Sequence, residues 1–173
     1  GILTVFLCIL RERFSPSLAG QNNGFVWSPP PPQIAKPEDY KNTSIYIEKW
    51  GSVYAKVENF TPAITLKRAA VQYQHMVFED KTDHHLQTAA KLRLGQVATA
   101  MTVSCYSRNE GEAEILGNLV YEFFVRCRWE IQKTFEINIC QPRYLSETAV
   151  YKETQMLDNR VYKTDIMIDL NFD

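Results

Sequence analysis

Seven glycines in 173 residues leave little material for backbone cradles around phosphate. No GxGxxG, Walker loop, GxSxG or HExxH occurs, so the common signatures of nucleotide binding, serine hydrolysis and zinc hydrolysis are missing. There is no CxxC pair either. Cys8, Cys105, Cys127 and Cys140 lie far apart, and His75, His84 and His85 stand at no familiar ligand spacing from them. Three of these cysteines sit in apolar segments, where a free thiol packs as a small hydrophobe, so reduced core thiols and a reducing compartment are expected. Excess charge of one sign is absent as well. With 19 basic and 20 acidic residues the net charge is −1, which argues against nucleic-acid binding through bulk charge and leaves only a local patch open.

No apolar run approaches the roughly twenty residues that a membrane helix needs. The stretch from Ile2 to Leu10 is followed by Arg11 and Arg13, whereas a signal peptide places its basic residues before the apolar core. Val5 stands where an N-myristoylation motif needs Ser or Thr. The segment reads as a helix that packs on the body or on a neighbouring subunit.

What is present suits one globular domain with a real core: 45% hydrophobic and 23% charged residues. Residues 15–42 differ from the rest, with six of the eight prolines, and Pro29 to Pro32 impose a stiff polyproline II rod. That stretch reads as an extended arm over the surface. It could also serve as a ligand for a proline-recognition groove, with Trp27 beside it, or embrace a neighbouring subunit. The chain thus divides into a helix and proline-rich arm, 1–42, and an α+β domain, 43–173.

From residue 43 the period becomes two. "TSIYIEKW" and "SVYAKVENF" alternate as half-buried strands, "AITLKRAAVQYQHMVFED" is ambiguous but leans β, and "KTDHHLQTAAKLRLGQ" reads as a loop ending at Gly95. Residues 96–106 alternate with Val97, Thr99, Met101, Val103 and Cys105 on one face. The spacing then changes. Ile115, Leu116, Leu119, Val120, Phe123, Phe124 and Cys127 form one helical stripe over about 110–128. Asn109 is the expected N-cap, with Glu110, Glu112 and Glu114 favoured by the helix dipole and Arg126 and Arg128 suiting its far end. "FEINI" reads as a strand, "QPRYLSET" as a polar loop, and "RVYKTDIMIDLNFD" as a long final strand with Tyr162, Thr164, Ile166, Ile168, Leu170 and Phe172 on one face. The predicted class is α+β: an antiparallel sheet of about four to six strands with one main helix across it and an N-terminal helix beside that.

Candidate chemistry is sparse. His84 and His85, beside Asp80, Lys81 and Asp83, admit a metal or general-base role, but exposed loop histidines are common without one. Glu110, Glu112 and Glu114 imitate paired catalytic carboxylates, although their place at a helix start explains them more simply. Tyr and Trp exceed core needs, which points to protein–protein contact.

"YKNTSIYIEKWG", "ATAMTVSCYSRNEGEAEILGNLVYEFF" and "RVYKTDIMIDLNFD", in this order, resemble the tail terminator (neck) proteins of tailed bacteriophages over most of residues 43–173. Departures are the long 60–95 segment and the Pro29–Pro32 run. The resemblance implies a non-catalytic virion protein without cofactor or metal. It implies a homohexameric ring that caps the tail tube protein, joins head-completion, stopper or adaptor proteins, and passes genomic DNA through its lumen without reading its sequence. Such a protein sits in the virion neck, and in the host cytoplasm during assembly. Phe6, Leu10, Phe14, Trp27, Pro30 and Trp50 are the expected subunit-interface residues. Asp165 and Asp169 are expected to face the lumen and repel DNA. Competing readings are another connector or tail part (a stopper or tube subunit), a small-ligand-binding module with a pocket under the helix, and an enzyme using His84 or His85.

Overall fold

The longest strands, β5 (Gly95–Ser107) and β8 (Val161–Phe172), pair antiparallel from Val97↔Phe172 to Ser107↔Tyr162 and form the centre of the sheet. Their alternation dictates this, because each second side chain must leave water. Met101, Val103, Cys105, Ile166, Ile168 and Leu170 are buried on one face. This is a computed structural model, and it describes residues 1–27, 43–50, 61–75, 95–152 and 160–172.

Six further strands flank this pair: β1 (Phe25–Trp27), β2 (Thr43–Lys49), β3 (Ala63–Arg68), β4 (Gln72–His75), β6 (Ile139–Leu145) and β7 (Ala149–Lys152). The order is β1-β2-β3-β5-β8-β6, with β4 beside β5 and β7 beside β8. The eight strands among the described residues exceed the expected four to six. The sheet is also mixed, since β1, β2 and β3 pair parallel to one another. Alternation reports which face is buried and carries no strand direction. The connection from Lys49 to Ala63 has the roughly dozen residues that a parallel crossover requires.

The main helix, α2 (Glu110–Phe135), begins as expected: Asn109 Oδ1 accepts the Glu112 N–H at 3.3 Å, with Glu110 and Glu112 in the first turn. It ends later than expected. Ile131 continues the buried stripe beyond Cys127, and Glu136 closes the helix in the left-handed region (φ 53°). The Ile137 N–H then returns to the Gln132 carbonyl at 3.0 Å and Ile137 is buried, a Schellman-type closure. The alternation of Phe135, Ile137 and Ile139 is therefore a helix end, a closing residue and a strand start, so "FEINI" is no strand. Arg126 and Arg128 stand inside the helix, and only Lys133 is basic in the last turn. "QPRYLSET" is mostly strand: its first five residues lie in β6, where Pro142 is tolerated on an edge beside a bulge.

The N-terminal helix α1 (Ile2–Arg13) lies on the same face of the sheet as α2, with the Phe6 and Phe124 rings 5.7 Å apart. Phe6, Leu10 and Phe14 are 0%, 0% and 1% exposed in the one main core. Burying side chains of this kind contributes about 1.5–3 kcal/mol each, so this chain's own core takes them rather than a neighbour's surface. The next residues are folded too. Pro16–Gln21 is a 3₁₀ helix, Asn23 and Gly24 turn the chain with positive φ, and β1 follows. Among the described residues 15–27 there is thus no loose arm, and Phe6, Leu10, Phe14 and Phe25 share one core with Ile166 and Leu170. The polyproline run, including Pro30, lies outside the described residues, as do "SVYAKVENF", His84 and His85.

Candidate functional surfaces

Because Met101, Val103 and Cys105 turn toward α1 and α2, Ala98, Ala100, Thr102, Ser104 and Tyr106 occupy the opposite face. Register extends this face across the sheet in rows. Thr65, Ser104 and Asp165 form one row, Thr102, Met167 and Tyr144 the next, and Ala100, Asp169 and Gln141 a third.

The two candidate lumen carboxylates both lie on this face, and both are paired. Asp165 accepts the Ser104 hydroxyl at 2.5 Å and meets Lys163 Nζ at 2.7 Å, while Asp169 pairs with Arg143. One cation stands against each anion. Among the described residues, each of these two carboxylates is thus partly neutralised within the chain.

One end of the face is closed by aromatics. Trp50 stacks on Tyr106 with centroids 6.0 Å apart, and Tyr151 meets Tyr106 edge-on at 5.1 Å. Trp50 is thus engaged within the chain. Burial chiefly raises the Tyr106 phenol well above its ordinary value of 10.0. Trp27 is half-buried, with the Arg11 guanidinium 5.2 Å from its ring centre.

The other end is open. A groove of about 490 Å³ runs over Ala98 and Ala100 between Ala70 and Gln72 on one side and Ile139, Arg143 and Asp169 on the other. A second, of about 520 Å³, lies between the 3₁₀ helix and α2, lined by Arg13, Leu18, Phe123 and Arg126. A third, of about 410 Å³, lies at the start of α2 beside Glu110, Glu114 and Glu147. These are surface grooves. Beneath α2 the space is filled by Leu116, Val120 and Phe124, each fully buried.

Among the described residues no three His, Cys, Asp or Glu side chains gather as a metal site, and no helix is long and apolar enough to cross a membrane. All four cysteines are free. Burial raises the thiols of Cys105 and Cys140, the latter to about 11, which leaves them poor nucleophiles near neutrality. Glu110, Glu112 and Glu114 stand at the helix start, where Glu112 also takes the Ser107 hydroxyl.

Several large apolar side chains are exposed, Trp129 among them as one of the surplus aromatics. Trp129 is 66% exposed, Tyr144 57%, Met167 42%, Ile139 42% and Val125 39%. One signal for Trp129 and Val125 was available: both fall off the 116, 120, 124, 127, 131 stripe that faces the core.

No protein-family model matches this chain, and no curated protein matches it in sequence.

Proposed function

We propose that this chain is a structural ring subunit of the tail-terminator or neck kind. In this reading it caps a phage tail tube, joins it to the head-completion proteins, and lets DNA pass without reading its sequence. The observation that carries the reading is the unit β5–α2–β8. A strand leads through an Asn-capped acidic turn into a helix lying on the sheet, and the last strand completes the sheet centre beside the first. That is the arrangement the resemblance implies for these three segments.

The surface fits an assembly part. Large apolar side chains, Trp129 and Met167 among them, stand exposed on the protomer. The ligand-binding alternative needs a chamber under α2, and that space is occupied by Leu116, Val120 and Phe124. Other neck and tail parts share the same physical profile, and the place in a particle separates them.

The test is the mass of the purified chain in solution, followed by electron microscopy alone and with tail tubes. Closed rings that seat on tube ends support the reading. A chain that stays monomeric and ignores tubes refutes it.

A further inference from the structure

Asn23–Gly24 is the sole Asn–Gly step in the sequence. Both residues have positive φ, 52° and 82°, and the Phe25 N–H donates to the Asn22 carbonyl at 2.9 Å. That is a type I′ turn, the class that favours Asn followed by Gly. It joins the 3₁₀ helix to β1. The two asparagines of the turn have opposite surroundings. Asn22 is 0% exposed and its Nδ2 donates to the Arg13 carbonyl at 2.8 Å, whereas Asn23 is exposed. Asn22 thus holds the turn to the end of α1, while the Asn23 carboxamide stands in water.

An exposed Asn before Gly has a reaction available with its own backbone. The Gly24 nitrogen, after losing its proton to base, attacks Asn23 Cγ. The N–Cγ bond forms, the Cγ–Nδ2 bond breaks, and ammonia leaves behind a five-membered succinimide. Water then opens the ring. Cleavage of the new N–Cγ bond gives aspartate on the ordinary backbone. Cleavage between the Gly24 nitrogen and the carbonyl carbon of residue 23 gives isoaspartate, whose main chain carries one extra methylene. Glycine as the following residue matters because it has no Cβ to hinder the attack.

The folded turn opposes this reaction in two ways. At the first central position of a type I′ turn ψ is about +30°, which points the next nitrogen away from that residue's own Cβ. Ring closure needs the nitrogen on the Cβ side. The Gly24 N–H also donates to the Ala19 carbonyl at 3.0 Å, so the attacking atom is occupied. We propose that Asn23–Gly24 is a self-modification site, which deamidates through a succinimide when this turn opens and is held shut while the turn is native. The isoaspartate product lengthens the main chain between Asn22 and Phe25, both buried, and so works against reclosure. This chemistry is independent of the ring reading.

The test incubates the full chain at pH 8, native in buffer and unfolded in guanidinium chloride, and follows the peptide containing Asn23 by mass spectrometry. Deamidation raises its mass by the difference between water and ammonia, and chromatography separates the aspartate and isoaspartate forms. The unfolded chain is expected to convert, with both forms appearing. The native chain is expected to convert more slowly by roughly tenfold or more, since two backbone hydrogen bonds must open first. Gly24→Ala, compared only in guanidinium chloride so that its folding does not matter, is expected to convert several-fold more slowly than wild type. An unfolded chain that stays unmodified overturns the site. A product without isoaspartate, or a Gly24→Ala chain that keeps pace with wild type, overturns the succinimide route. A native chain that converts as fast as the unfolded one overturns the protection by the turn.

Discussion

Gly117 on α2 and Thr164 on β8 approach so closely that a Cβ at residue 117 would stand 2.7 Å from Thr164 Cγ2 and 3.1 Å from its Cβ. This contact sets how low the helix lies on the sheet. In an exposed helix, Gly→Ala stabilises by about 1 kcal/mol. Here the added methyl has no room, and overpacking a core costs about 1–3 kcal/mol. Gly117→Ala is therefore expected to lower stability by about 1 kcal/mol in urea denaturation. Thr164→Ser removes the nearer carbon and keeps the hydroxyl that meets Thr148 at 2.8 Å, so the double variant should recover part of the loss. A Gly117→Ala protein more stable than wild type would show that the helix is free to lift.

Asn109 governs the start of the same helix. Its Oδ1 accepts from Glu112, and its own N–H donates to Ser107 Oγ at 3.1 Å. Asn109→Ala should cost about 1 kcal/mol, and Asn109→Asp, which keeps the acceptor, much less. Urea midpoints for the two variants decide this. Equal midpoints would mean that the Ser107–Glu112 contact caps the helix unaided.

These two sites also show what the sequence could and could not disclose. The beginning of α2 was legible because Asn109, the acidic first turn and the apolar stripe agree. Its end was not, because Glu136 turns the chain without the glycine that ordinarily marks a left-handed cap. Only Ile131 hinted that the stripe continued. β8 was legible from alternation alone, while β6 was hidden by Pro142, which an edge strand tolerates. The parallel pairing of β1, β2 and β3 left no trace, since one alternating pattern serves either direction. Among the site residues, Phe6, Leu10 and Phe14 were correctly seen as an apolar helix face. Which surface buries them depends on contacts distant in sequence, and that surface is their own sheet. Asp165 and Asp169 were correctly placed on one face, but Arg143, which neutralises the second, sits in the segment read as a loop.

The thiols differ in reactivity for physical reasons. Cys8 is exposed on α1, whereas Cys105 and Cys140 are buried. At pH 8 a thiol reagent is expected to modify Cys8 in the native chain and to reach Cys105 and Cys140 only after unfolding. Burial raises Cys140 from 9.0 to about 11, so the unfolded chain loses this proton first as pH rises. The contribution is complete below pH 9 and is lost as pH climbs through about 11, by about 1–2 kcal/mol at pH 10.5. Stability measured from pH 8 to 10.5 should fall less steeply for Cys140→Ala than for wild type. Parallel slopes would show that the thiol ionises equally easily in both states.

Arg11 ties α1 to the edge of β2, and its removal should have two separable effects. Arg11→Met keeps the aliphatic stem but leaves the Ile47 carbonyl and the Glu48 carboxylate without the guanidinium, and withdraws the cation from Trp27. Hydrogen bonds to a charged group contribute about 1.5–3 kcal/mol; with both side chains partly solvated, a loss of about 1–2 kcal/mol is expected. The second effect concerns association. An uncovered strand edge offers unpaired backbone groups to another chain, so Arg11→Met should scatter light in a concentration-dependent way that wild type does not. Arg11→Lys retains the charge without the planar fork and should fall between the two. Glu48→Gln separates the causes, because it weakens the ion pair while leaving Arg11 on the Ile47 carbonyl. It should lose some stability and gain no scattering. If Glu48→Gln aggregates as readily as Arg11→Met, then the acidic charge, and not the guanidinium on the carbonyl, keeps this edge from pairing.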